Sequence, residues 1–500
     1  MKNLFSGKWG DLAALLAGAT LPLALAPFDW WWFAPLPLLA YLALSHGIAM
    51  RRRFWRSFLF GLGLYGTGAS WIYVSVHDYG PAPAPLAAGL IFLFSCGMAL
   101  LFLLPMLCWH SFLQDKRGGV ALAFPAIWML DEWFRGWILT GFPWLFIGYS
   151  QTETFMGNWA PVVGVYGISF LLAFFAASLF DCLQQRRFSI PFLLSLSLLC
   201  AGSALLGKVL WTQPTGTQQD FALIQGNVPQ QLKWKPEQRE AIRALYRNAS
   251  EPLLKKNALV VWPEAAIPEL YTSEHPFFQQ MTHDLQNRGG ALITGIPTVH
   301  YDTDDTPYFH NSMIGLGEAS GIYNKQRLVP FGEYVPLESW LKDLLDFFKM
   351  PISDFRVGTA NQANISSGLL RIASSICYEV AYPKLVAEQA KEADILLTVS
   401  NDTWFGNSIG PHQHLQMAQM RARENAREML RATSNGISAH IDERGKIISR
   451  SPQFEYFVLQ GAVKARQGHT LYQLLGNWPL LIVCFLLLLT VRCCRLSTRP

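Results

Sequence analysis

Three side chains in this chain sit where covalent chemistry can be done. Cys377 is the only cysteine between Trp211 and Leu471, so it has no disulfide partner within that stretch. It stands in Ser374-Ser375-Ile376-Cys377-Tyr378-Glu379, directly after the mostly apolar run Leu369–Ala373, at the end of a predicted strand. Such a thiol is either core filler or a nucleophile. Two other segments bear on the choice: Val261-Trp262-Pro263-Glu264 and Tyr323-Asn324-Lys325. A thiol reacts as its thiolate, and the free group titrates near pH ~8.5. Glu264 can take its proton as general base if it lies within hydrogen-bond reach. Lys325 can stabilise the thiolate and then an oxyanion, with the backbone N–H of Tyr378 as a second donor. No histidine is required. The intermediate expected is a thioester, and the reaction class is hydrolysis or acyl transfer.

The elements that must hold these groups read as α/β. Strands are predicted at Phe221–Gln225, Ala258–Trp262, Ala291–Thr294, Met313–Leu316, Leu369–Ile376, Ile395–Ser400 and Ile437–Ile441. Helices are predicted at Glu237–Lys255, His275–Asn287, Pro383–Glu392 and His414–Ala432, with Pro236 and Gly289 as start and stop signals. Glu264, Cys377 and Asn401 each follow a predicted strand, and open α/β sheets place ligand sites at the carboxyl ends of strands. Arg421, Arg423, Arg427 and Arg431, interleaved with Glu424 and Glu428, read as a solvated, salt-bridged helix face. Thr403-Trp404-Phe405-Gly406 reads as a pocket loop, or as aromatic core packing.

Around this region the chain is apolar. Of its 500 residues 51% are hydrophobic and only 15% charged, against roughly 25% charged in soluble chains. A spanning helix needs about 20 apolar residues, and seven segments before residue 211 approach that: Asp11–Pro27, Trp31–Ala49, Phe54–Val76, Pro85–Trp109, Gly119–Thr140, Pro161–Leu183 and Pro191–Leu210. An eighth is Trp478–Val491. Basic residues fall on alternate connections (Arg51-Arg52-Arg53, Lys116-Arg117, Arg186-Arg187, Arg492), which places both termini in the cytoplasm and Trp211–Asn477 outside. Asp131, Glu132 and Arg135 interrupt the fifth segment. Their spacing allows a structural ion pair or a polar lining for a lipid headgroup. Neither metal-ligand spacing nor a basic stripe with interleaved aromatics is present, so no metal and no nucleic-acid partner is expected.

Trp262-Pro263-Glu264, Asn324-Lys325, Leu328-Val329-Pro330-Phe331-Gly332-Glu333 and Ile376-Cys377-Tyr378-Glu379 together resemble the nitrilase (carbon–nitrogen hydrolase) superfamily. Seven spans before and one after narrow the resemblance to the apolipoprotein N-acyltransferase family. The resemblance implies a multi-span α-helical membrane domain over 1–210 and a nitrilase-like αββα sandwich over 211–471 on the periplasmic face of the bacterial inner membrane. A last transmembrane helix follows over 478–491. It also implies that Glu264 is the base, Lys325 the oxyanion stabiliser and Cys377 the nucleophile. Glu333 would help position them and the incoming amine, Trp234 and Tyr378 would line the pocket, and Glu379 would support from behind. The implied reaction moves the sn-1 acyl chain of a phospholipid, typically phosphatidylethanolamine, through a Cys377 thioester. The acceptor is the α-amino group of a diacylglyceryl-cysteine at an apolipoprotein amino terminus. The enzyme would work without a cofactor and as a monomer.

Three rivals stand beside this reading. A membrane-bound carbon–nitrogen hydrolase would use the same three residues on amides or nitriles, although one span would suffice to tether it. A transporter is disfavoured by few intramembrane charges and no broken-helix repeat. An inactive lipoprotein-binding scaffold would be indifferent to loss of Cys377. Finally, Trp340-Leu341 and Leu344–Pro351 form an amphipathic stretch with Lys342 and Lys349, expected either to dip into the outer leaflet as a lid or to pack as a surface helix.

Overall fold

The computed structural model describes residues 7–80, 82–330, 332–334, 355–368 and 370–494. The amphipathic stretch Trp340–Pro351 lies outside them. The chain divides into two units, one built from Met1–Trp211, Trp404–Glu424 and Thr470–Pro500, the other from Thr212–Thr403 and Asn425–His469.

The first unit is helical. Helices occupy each predicted apolar segment: Lys8–Thr20, Pro35–Ser45, Met50–Gly68, Ala84–Cys108, Phe124–Arg135, Ala160–Gln185, Ile190–Ser197 and Trp478–Cys493. Several begin with proline in the first turn, where no amide hydrogen bond is lost. Two helices among the described residues are long and apolar enough to cross a membrane, Ala84–Leu113 and Phe155–Gln185. Asp131, Glu132 and Arg135 are all buried. Arg135 turns its Nη1 to the carbonyls of Phe142 and Trp144, and Glu132 Oε1 accepts from the Trp128 indole at 3.1 Å and from the Ile147 amide at 2.9 Å. These two charges serve the non-helical segment that follows their own helix.

The expected solvated helix His414–Ala432 is corrected in two ways. The helix runs Gly410–Asn425, the chain turns at Ala426 (φ 48°), and Met429–Thr433 is a strand. Its polar residues are also buried in the first unit. Gln413 accepts from the Trp144 indole at 2.7 Å, Gln416 accepts from the Ala26 amide at 3.2 Å, and Arg423 donates to Asn158 at 2.7 Å. Glu424 accepts from the Val165 amide at 2.8 Å. Buried backbone groups at kinks need polar partners, and this helix supplies them, which is why it looks solvent-facing in sequence. Trp404 and Phe405 belong to the same unit, Phe405 lying 4.7 Å edge-on to Trp71.

The second unit holds two sheets. Its strands are β1 (Gln213–Gln225), β2 (Ala258–Trp262), β3 (Ala291–Tyr301), β4 (Pro307–Gly317), β5 (Ala319–Ser320), β6 (Ile322–Asn324) and β7 (Ile365–Ser367). They continue with β8 (Leu370–Ile376), β9 (Ile395–Ser400), β10 (Met429–Thr433), β11 (Ala439–Ile441), β12 (Ile447–Arg450) and β13 (Phe457–Gln467). One sheet has the order β13-β1-β2-β3-β4-β6, the other β12-β11-β10-β9-β8-β7-β5. Alternate residues of both sheets interdigitate into one core: Leu223, Leu259, Val261 and Ile293 from the first, Ile372, Ile376, Leu397 and Leu430 from the second. The opposite residues of the first sheet, Val260, Trp262 and Leu292, pack under Ile242 and Tyr246 of the helix Arg239–Ser250 and Phe278, Met281 and Leu285 of Pro276–Arg288. Helix Pro383–Ala390 packs beside β8. β1–β2–β3 and β8–β9–β10 pair in parallel, so their carboxyl ends point the same way within each sheet.

Candidate active site

Glu264 sits two residues beyond β2, and the backbone there is tightly placed. A Cβ on Gly295 of β3 would lie 2.6 Å from Glu264 Cα, so only glycine permits the approach. The Glu264 carboxylate is buried and has three donors. Oε1 accepts from Asn311 Nδ2 at 2.8 Å and from Lys325 Nζ at 3.3 Å, and Oε2 accepts from the Asn401 amide at 2.8 Å. Burial pushes this carboxyl up, but Lys325, Asn311, Asn401 and Lys233 more than offset it and hold Glu264 below its ordinary value.

Lys325 follows β6 and is 1% exposed. Its Nζ lies between two carboxylates, 3.3 Å from Glu264 and 2.8 Å from Glu333 Oε2. Burial lowers its pKa, but Glu333, Glu264 and Cys377 override that and hold it above its ordinary value, so the ammonium is a permanent charge. Glu333 also accepts from Asn311 at 2.7 Å and from the Val329 amide at 2.8 Å, which ties the loop after β6 to the cluster.

Cys377 follows β8 with φ 51°, a left-handed backbone that non-glycine residues adopt at a cost of order 1–3 kcal/mol. Such strain at the head of a strand turns a side chain out of the sheet. The residue is half-buried, and the β8–β9 register Ile376↔Val399 sets it beside Ser400. Burial first, then the Glu264 and Asp402 carboxylates, push its thiol well up, while Lys325 and a hydrogen bond with Ser400 pull the other way. The Ser400 hydroxyl donates to Asp402 at 2.6 Å, and Asp402 pairs with the fully buried Arg431 at 2.6 Å.

The remaining predicted residues fall around this cluster. Tyr378 is buried and packs edge-on to Tyr382 at 5.2 Å. Glu379, with no exposed surface, accepts from the amides of Gln326 at 2.6 Å, Arg327 at 3.1 Å and Ile376 at 2.7 Å, and from the Tyr323 hydroxyl at 3.0 Å. It thus staples the loop carrying Lys325 to the strand carrying Cys377. Burial pushes its carboxyl up to about 7 against the pull of those donors. Trp234 follows the short helix Gln230–Lys233 and is 51% exposed. Two residues were not anticipated. Asn311, on β4, bridges both carboxylates with one amide nitrogen. Lys233 is buried with its Nζ 3.4 Å from the Glu264 carbonyl.

A base, a fixed cation and a protonated thiol so arranged can carry out nucleophilic acyl chemistry. A family model described as the apolipoprotein N-acyltransferase N-terminal domain matches residues 17–178, and one described as carbon-nitrogen hydrolase matches residues 221–470. Among curated relatives, an apolipoprotein N-acyltransferase of Azotobacter vinelandii is 46% identical over 486 residues, covering 96% of this chain and 94% of its own length. One of Pseudomonas paraeruginosa is 46% identical over 487 residues, with 96% and 95% covered. One of Methylococcus capsulatus is 38% identical over 481 residues, with 95% and 94% covered. Both units are therefore shared with these relatives.

Proposed function

The chain belongs to the apolipoprotein N-acyltransferase family, and on that premise we propose that it acylates apolipoproteins in two stages through Cys377. The observation that carries this reading is the meeting of Glu264, Lys325 and Glu333 beside the strained turn that bears Cys377. In the first stage Cys377 Sγ attacks the carbonyl carbon of a phospholipid ester while Glu264 takes the thiol proton. Lys325 and the Tyr378 N–H stabilise the oxyanion. The tetrahedral intermediate collapses, the ester C–O bond breaks, and the leaving lysophospholipid oxygen takes the proton from Glu264. In the second stage the α-amino group of a diacylglyceryl-cysteine attacks the thioester and gives its proton to Glu264. The C–S bond breaks, and the thiol recovers that proton. Because the resting thiol is held up and the base is held down, no thiolate stands ready. Proton transfer must accompany attack.

Phosphatidylethanolamine, through its sn-1 chain, is the proposed donor. Both substrates carry acyl chains, which fits a catalytic domain over 211–471 on the periplasmic face, a multi-span membrane domain over 1–210 and a last span over 478–491. The two long apolar helices and the alternating basic loops support that topology. Intact mass spectrometry after incubation with phosphatidylethanolamine tests the cycle. The expected result is a gain of one acyl chain that hydroxylamine removes and that Cys377→Ala lacks. No adduct on folded, lipid-exposed protein would sink the thioester and turn attention to amide hydrolysis.

A further inference from the structure

The helical turn Gln230–Lys233 reaches Glu264 directly through Lys233 and indirectly through Asn401. Lys233 Nζ lies 3.4 Å from its main-chain carbonyl, at the long end of hydrogen-bond range. On the other side, Asn401 donates its side-chain amide to Gln230 at 3.1 Å and its backbone N–H to Glu264 Oε2 at 2.8 Å. Lys233 is only 3% exposed. A buried ammonium is costly unless it is compensated; Lys233 Nζ meets the Glu264 main-chain carbonyl, and the charge of the Glu264 carboxylate opposes the effect of burial on it.

We propose that Lys233 is a positioning residue for the base, a second buried cation that holds the Glu264 loop and keeps its carboxylate ionised. The inference rests on the reading of Glu264 as the proton acceptor. The charged and titratable groups facing Glu264 are Lys325, Lys233 and Cys377, with Glu333 reaching it through Asn311 and Lys325, and Asp402 acting on Cys377. Lys325 stays charged throughout. Burial brings Lys233 down to about 8, with Glu264 opposing, so Lys233 is the cation whose charge fades first as pH rises.

The sign is fixed by the pairing. Without the Lys233 charge the Glu264 carboxyl pKa rises, and the acidic limb of the pH profile moves to higher pH. The test measures the rate of thioester formation on the full-length enzyme with phosphatidylethanolamine across pH. Lys233→Met is expected to lower the plateau about tenfold, as the base loses its placement, and to move the acidic limb up by about half a unit or more. Lys233→Arg should keep the wild-type limb. If Lys233→Met does not fold, Lys233→Gln, which keeps a donor and drops the charge, carries the same expectation for the limb. A variant that scales the rate equally at every pH, with the limb unmoved, would assign Lys233 a structural role and overturn the proposal. A wild-type enzyme that forms no thioester would overturn the cycle itself, whatever Lys233 does.

Discussion

Cys377 rests as a thiol because burial and two carboxylates oppose its ionisation more strongly than one ammonium and one hydroxyl favour it. Alkylation by iodoacetamide, which needs thiolate, should therefore be slower at pH 7 than for free cysteine and should still be climbing above pH 9. A plateau below pH 8 would mean a standing thiolate–ammonium pair instead. At this scale much of the candidate site was legible. Glu264, Lys325, Glu333 and Cys377 each stand next to a strand or motif that gives an otherwise ordinary residue a place. Asn311 was not, because the predicted strand began at Met313 and left it in a loop; extending β4 backwards would have put a buried amide beside the base. Lys233 lies in a polar run and has no sequence mark that separates it from a solvated lysine.

Strand ends set the geometry of the cluster, so backbone spacing between strands matters as much as side chains. Gly295→Ala would press a methyl against the Glu264 backbone, 2.6 Å from its Cα, where no flexible side chain can yield. The expected outcome is a fall of at least about a hundredfold in thioester formation, from displacement of the base, with destabilisation of about 1–3 kcal/mol from overpacking. Denaturant melts and rates on the same preparation check both. Activity within tenfold of wild type would show that β2 and β3 can part without cost. The fully buried strands β2 and β9 were readable to the residue, because a short apolar run between polar ones admits little else. β13 escaped because Gln460, Lys464 and Gln467 fall four and three residues apart, which breaks the period-two alternation by which an edge strand is read. β10 was mistaken for helix because Met429, Leu430 and Ala432 continue a helical spacing across the break at Ala426.

The whole molecule is less modular than an interval of sequence suggests. The chain passes between its two units four times, and the helix Gly410–Asn425 and the segment from Thr470 belong with the amino-terminal helices. Thr470 donates to the Glu424 carbonyl at 2.8 Å and caps the helix Leu471–Leu475, whose Tyr472 is buried. A chain ending at His469 should therefore lose more than its last two helices. Limited proteolysis is expected to cut within residues 7–211 at least tenfold faster than in the full chain. Unchanged cleavage there would show that the amino-terminal helices stand alone.

Glu424 and the Val165 amide are 259 residues apart, yet the buried amide takes its acceptor from that distant carboxylate. On a ribosome adding about 5–20 residues per second, the amino-terminal helices wait roughly 13–52 seconds after Val165 is made before Glu424 arrives. Throughout that interval the kink in the helix Ala160–Gln185 has an open amide. The enzyme's biogenesis thus has a built-in vulnerable period, in which the first part made is the last to be finished and its open amide must find water or another acceptor meanwhile.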